Sequence, residues 1–114
     1  MGAELLPLWI VSLHLLGDFV LQWHSIAQAK LGDWRARTLH VVVYAAPFSA
    51  LAMALGGAWQ PWAFPLLVAV PHWLTDSVRW CPGHPWPLKP LLVDQALHLC
   101  ALTIAAQVCY GGMS

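Results

Sequence analysis

Seven ionisable residues stand inside otherwise apolar runs of this 114-residue chain: His14, Asp18, His40, His72, Asp76, Asp94 and His98. Six of them form i, i+4 pairs (His14 with Asp18, His72 with Asp76, Asp94 with His98), so on a helix each pair shares one face. Four imidazoles and three carboxylates are a ligand set for Zn, Mn or Fe, and they suffice for one or two ions. A divalent cation would neutralise carboxylates that are otherwise costly to bury. In that reading all seven are metal ligands, with His40 either a further ligand or a catalytic general base. Two other chemistries fit the same residues: a self-paired His–Asp network or proton relay, and a b-type haem between two facing histidines. The haem would leave the aspartates without a role. Gln22, Tyr44, Thr75 and Gln95 lie close to the seven, where they could orient ligands or join helices by hydrogen bonds. No serine or cysteine sits convincingly beside a base, which disfavours covalent catalysis. Cys81, Cys100 and Cys109 lack metal-ligand spacing and read as small apolar filler. Cys100 and Cys109 would point to opposite sides of one helix.

The elements that must position these residues follow from composition. Only 9% of the chain is charged and 60% is hydrophobic, against roughly 25% charged in an ordinary soluble domain. The length allows one domain, and so small a core could not hide that much apolar surface. A bilayer is the solvent that fits. With zero formal net charge and no basic stripe, nucleic acid is excluded as a partner. Crossing about 30 Å of hydrocarbon takes roughly 20 residues. Four runs approach that length, at about 5–27, 38–55, 61–78 and 90–110. The expected fold is therefore all-α, an integral membrane four-helix bundle in a single domain. The links KLGDWRAR, GGAWQ and RWCPGHPWPLK carry the turn formers. Pro61 and Pro90 fall where helices start, and Pro47 and Pro71 fall inside them, where kinks could open a cavity. No cleavable signal peptide is evident.

All five Lys and Arg residues lie in or beside two of the links: Lys30, Arg35 and Arg37 in one, Arg79 and Lys89 in the other. The positive-inside rule makes that side cytoplasmic and leaves both termini outside. Trp34, Trp80 and Trp86 would then mark the inner interface, and Trp9, Trp59 and Trp62 the outer one. Counted from the cytoplasmic ends, all seven ionisable residues lie roughly 5–20 Å deep at about 1.5 Å per residue. A buried aspartate at the bilayer centre costs on the order of 2.5–3.5 kcal/mol. Three of them facing lipid would be prohibitive, so they must face one another inside the bundle.

The segments HLLGDFVLQW, HVVVY, HWLTD and DQALH, in that order, resemble a bacterial and phage domain-of-unknown-function family, number 3307. The shared pattern is H-x-x-x-D-F-x-L-Q, then H, then H-x-x-x-D, then D-Q-x-x-H, over roughly residues 12 to 100. The resemblance implies a small His/Asp-rich protein of a bacterial inner (plasma) membrane, multi-pass, and implies no particular reaction. A looser resemblance is to membrane-bound metal-dependent hydrolases, whose H-R-x-x-T-H-S type signature this chain lacks.

Three functions are expected from these readings. The first is a metal-dependent hydrolase acting on an amphiphilic, lipid-linked substrate at the cytoplasmic leaflet, with the lipid bilayer as its surroundings. The second is a proton or metal-ion transporter or binding subunit, although the outer half of each span lacks an ionisable residue. Assembly into a homo-oligomer could supply a path. The third is a structural membrane module whose polar cluster only sets helix register.

Overall fold

The computed structural model of the chain describes residues 5–20, 33–78 and 80–111. Gln22, the end of the first expected span, and the basic residues Lys30 and Arg79 lie outside these residues. The described residues are all-α and contain no strand. Helix α1 covers Leu6–Leu15 and continues as a π-helical segment, Leu16–Val20. Helix α2 is Trp34–Leu55, α3 is Gln60–Asp76 and α4 is Lys89–Tyr110.

The helix ends have local causes. Asp33 caps α2 by accepting a hydrogen bond from the Arg35 backbone N–H at 2.9 Å, and this starts the helix before Thr38, where the apolar run begins. Hydropathy marks where a greasy surface begins, while the cap marks where the backbone turns helical. Gly56 closes α2 at φ 79°, a conformation that L side chains rarely adopt. Pro61 and Pro90 lie in the first turns of α3 and α4, where a missing N–H costs nothing. Pro47, Pro65 and Pro71 are inside helices.

Helix α1 packs on α2, α2 on α3, and α3 on α4. At the end of the bundle near Leu6, Leu51 and Tyr110 the interior is hydrocarbon and aromatic, built on Phe48, Phe64, Val68 and Leu102. At the other end it is polar: His14, Asp18, Arg37, His40, His72, Asp76 and His98 are all buried. The outside is apolar, with Trp62 80%, Met53 73% and Leu8 66% exposed. Cys109 lies in the apolar core and Cys100 is exposed, so the two do face opposite ways. By length and composition, α2 and α4 could cross a membrane, while α3 has 17 residues and α1 is a shorter apolar helix.

A repeat that the ionisable pattern alone did not reveal becomes visible once burial is known. His14, Asp18 and His40 recur 58 residues later as His72, Asp76 and His98. Core positions follow the same register: buried Leu6 matches Phe64, Ile10 matches Val68, Tyr44 matches Leu102, and Leu51 matches Cys109. The register aligns α1 with α3 and α2 with α4. The same contact recurs in each half, His40 Nε2 to Asp18 Oδ1 at 3.2 Å and His98 Nε2 to Asp76 Oδ1 at 3.3 Å.

Candidate metal centre

Each helix delivers its polar residues from the same end of the bundle. His40 is in the second turn of α2, His72 and Asp76 are in the last turns of α3, and Asp94 and His98 are near the start of α4. Asp18 comes from the π-helical segment after α1. Gly17, beside it, allows the close approach of α1 to α2. A Cβ there would stand 2.7 Å from Tyr44 Cδ2 and 3.3 Å from Tyr44 Cα.

Four donor atoms converge: Asp18 Oδ1, His40 Nε2, His72 Nε2 and Asp76 Oδ2. His40 Nε2 is 3.0 Å from His72 Nε2, 3.2 Å from Asp18 Oδ1 and 3.3 Å from Asp76 Oδ2. His72 Nε2 is 3.1 Å from Asp76 Oδ2 and 3.7 Å from Asp18 Oδ1. Tetrahedral donors at about 2.0–2.1 Å from an ion must stand about 3.3–3.4 Å from one another, and these edges bracket that value. With both carboxylates ionised, proton-mediated pairing fits the same atoms poorly. If both Nε2 atoms carry protons, two donors face each other at 3.0 Å. If either is a bare acceptor, its lone pair faces an ionised carboxylate at 3.3 Å or less. A cation at the centre removes every one of these conflicts.

His14 takes a different position. Gln95 Nε2 donates to Asp18 Oδ2 at 3.0 Å and to Asp94 Oδ2 at 3.1 Å, which fixes the orientation of its amide. Gln95 Oε1 therefore accepts from His14 Nε2–H at 2.7 Å, and His14 Nδ1 accepts the Tyr44 hydroxyl proton at 2.6 Å. Both nitrogens of His14 are thus engaged in orienting the neighbours. The Tyr44 ring also stacks on His72, with centroids 3.8 Å apart. Although His14 and Asp18 have the spacing of His72 and Asp76, the chain between them passes into a π turn, where the ring closes i to i+5 and the i, i+4 coincidence is relaxed.

Asp94 and His98 complete the cluster. His98 Nδ1–H donates to the Asp94 carbonyl at 2.7 Å, which leaves Nε2 as the atom with a lone pair. Donor atoms of Asp18, Asp94 and His98 lie within 4.8 Å of one another, as do those of Asp18, His40, His72 and Asp76. Thr75 is turned aside, because its hydroxyl donates to its own helix at the Pro71 carbonyl, 2.8 Å away. Six of the seven ionisable residues singled out from the sequence therefore supply atoms to two overlapping groups that could hold a metal ion. His14, Tyr44 and Gln95 form the hydrogen-bonded layer behind them.

Helices α1 and α4 part at the apolar end and leave a groove of about 330 Å³, lined among others by Leu6, Ile10, Leu99, Thr103, Ala106 and Tyr110. The repeat explains it. In the seam between α2 and α3, Phe48 and Phe64 meet edge to face with centroids 6.1 Å apart. Their counterparts 58 residues away are Ala106 and Leu6, and the smaller pair leaves the second seam open. Ile10 is one turn from His14, and Leu99 is adjacent to His98, so the groove ends beside the polar cluster.

The model of a family described as a protein of unknown function, DUF3307, matches residues 5–113. No curated protein and no solved structure matches the chain.

Proposed function

We propose that the chain, which belongs to the DUF3307 family, holds a divalent metal ion within a membrane-embedded four-helix bundle and uses it to hydrolyse an amphiphilic substrate. The observation that carries the metal is the set of four buried donor atoms at tetrahedral spacing, for which, with both carboxylates ionised, no placement of the imidazole protons removes every like-to-like contact. The His and Asp ligands suit Zn, Mn or Fe. When bound, such an ion lowers the pKa of a water toward neutrality and polarises a phosphoryl or carbonyl oxygen.

This chain's own residues would do the remainder. Asp18, His40, His72 and Asp76 hold the ion and compensate its charge. His40, lying inside the donor set, serves as a ligand rather than as a general base, and Asp94, whose side chain is 22% exposed, stands at the edge of the cluster. His14, Tyr44 and Gln95 keep Asp18 aimed at the ion.

Placement in a bilayer is supported by the inverted polarity of the bundle, with ionisable residues inside and large apolar side chains outside. In water this arrangement would leave an extensive apolar surface exposed. The reading keeps the basic links on the cytoplasmic side of a bacterial inner membrane and both termini outside. The open seam between α1 and α4 supports a lipid-linked substrate: a hydrocarbon chain fits along Leu6, Ile10 and Ala106 while its polar head reaches the cluster.

Two measurements test this reading. Metal content of detergent-purified protein should be stoichiometric in the wild type and lost in Asp18→Ala; folded, metal-free wild type overturns the proposal. With the metal loaded, a long-chain phosphate ester should be turned over faster than its short-chain soluble analogue. Faster turnover of the soluble analogue would remove the amphiphile from the account.

A further inference from the structure

Asp18 and Asp76 each show two oxygens to two different surroundings. Asp76 Oδ2 belongs to the four-atom set, while its Oδ1 lies 3.3 Å from His98 Nε2. Asp18 Oδ1 belongs to the set, while its Oδ2 shares the Gln95 amide with Asp94. This is the posture of a bridging carboxylate. The repeat supplies residues for the second side of the bridge. Exchanging the two halves converts the set of Asp18, His40, His72 and Asp76 into Asp76, His98, His14 and Asp18. Two carboxylates are common to both sets, and His98 is new to the second. His14 is held back by Tyr44 and Gln95. Asp94, whose counterpart in the first half is Ala36, lies within ligand range of Asp18 and His98 instead.

Resting on the metal reading above, we propose that the centre is binuclear: a second divalent cation binds Asp18, Asp94 and His98, and Asp18 and Asp76 bridge the two ions through their paired oxygens. Carboxylate bridges would hold the ions about 3.5–4 Å apart, the separation of sites that clamp both the attacking and the leaving oxygen. Two divalent ions set against the three carboxylates Asp18, Asp76 and Asp94 leave the ligand set with one net positive charge, and this favours an anionic head such as a phosphate ester over a neutral one.

The test uses the full chain, purified in detergent, stripped of metal and reloaded with Mn²⁺. Bound manganese is counted by mass spectrometry, and the spins are read by electron paramagnetic resonance. The wild type should hold two ions per chain with an exchange-coupled spectrum. Asp94→Ala should hold one, with the six-line spectrum of an isolated ion. One uncoupled ion in the wild type overturns the second site and leaves the single-ion reading standing. No bound ion in the wild type overturns both. Two ions retained in Asp94→Ala would remove Asp94 from the site. Should that variant fail to fold, the wild-type count and coupling still decide the matter.

Discussion

At the scale of single residues, two carboxylates and one imidazole meet at the amide of Gln95. A neutral side chain so placed acts only through its neighbours: it holds the Asp18 carboxylate in line and fixes the tautomer of His14. Partners of this kind tune metal affinity by about 10–100-fold. Gln95→Leu is therefore expected to weaken binding of Zn²⁺ by about that factor while leaving stoichiometry unchanged, as measured by competition with a chelating dye. An affinity equal to wild type would show that the amide has no such hold. Helical spacing was enough to foresee that the seven ionisable residues converge, because a charge on an apolar helix has nowhere else to go. The division of labour among them was not foreseeable. Whether an imidazole ligates or orients depends on shifts of a few tenths of an ångström. A π turn between His14 and Asp18 is enough to separate them from the otherwise identical His72 and Asp76.

At the scale of elements, the seams between helices decide what can enter. Gly17 sets the distance from α1 to α2, since a methyl group there would drive into the Tyr44 ring and approach its Cα. Overpacking of this kind costs about 1–3 kcal/mol. Gly17→Ala should lower the thermal midpoint in detergent and weaken metal binding together, because Tyr44 supports both His14 and His72; an unchanged midpoint would mean that the helices yield without cost. The opposite seam can be closed deliberately. Ala106→Phe restores on α4 the side chain that Phe48 supplies on α2. It should keep the metal while reducing turnover of a long-chain substrate at least tenfold, with the short-chain analogue little affected. Equal loss for both substrates would argue that the groove is not where the chain lies. The starts of α3 and α4 at Pro61 and Pro90 were legible in the sequence through proline chemistry, whereas the early start of α2 was not, because hydropathy hides a polar first turn capped by Asp33. The repeat was hidden for a related reason. Outside the three ionisable positions, the buried pairs that match, such as Tyr44 with Leu102 and Ile10 with Val68, are alike in burial but not in identity.

At the scale of the whole molecule, one end of the bundle interior is polar while large apolar side chains cover the outside, a distribution unlike that of a protein that folds in water. In the proposed bilayer setting, the all-α character and the convergence of His and Asp at one end have one cause: polar groups in hydrocarbon must satisfy one another, and helices satisfy their own backbone there. The open groove was beyond reach from composition, since it arises from the difference between one Phe pair and its smaller counterparts. Orientation makes a separate prediction. In a variant that keeps Cys81 as its single cysteine, a membrane-impermeant maleimide should label the protein in inverted membrane vesicles and leave it unlabelled in intact cells. The opposite pattern would turn the molecule over and place the centre beneath the outer surface.

Whether His and Asp side chains from separate helices hold a metal ion is decided by K-edge X-ray absorption of the Zn-loaded protein. Zinc should show nitrogen and oxygen donors at about 2.0–2.1 Å with the outer-shell scattering of imidazole. Retained zinc with sulfur at about 2.3 Å, or with no imidazole scattering, would contradict such ligation, as would a folded protein that binds no zinc at all.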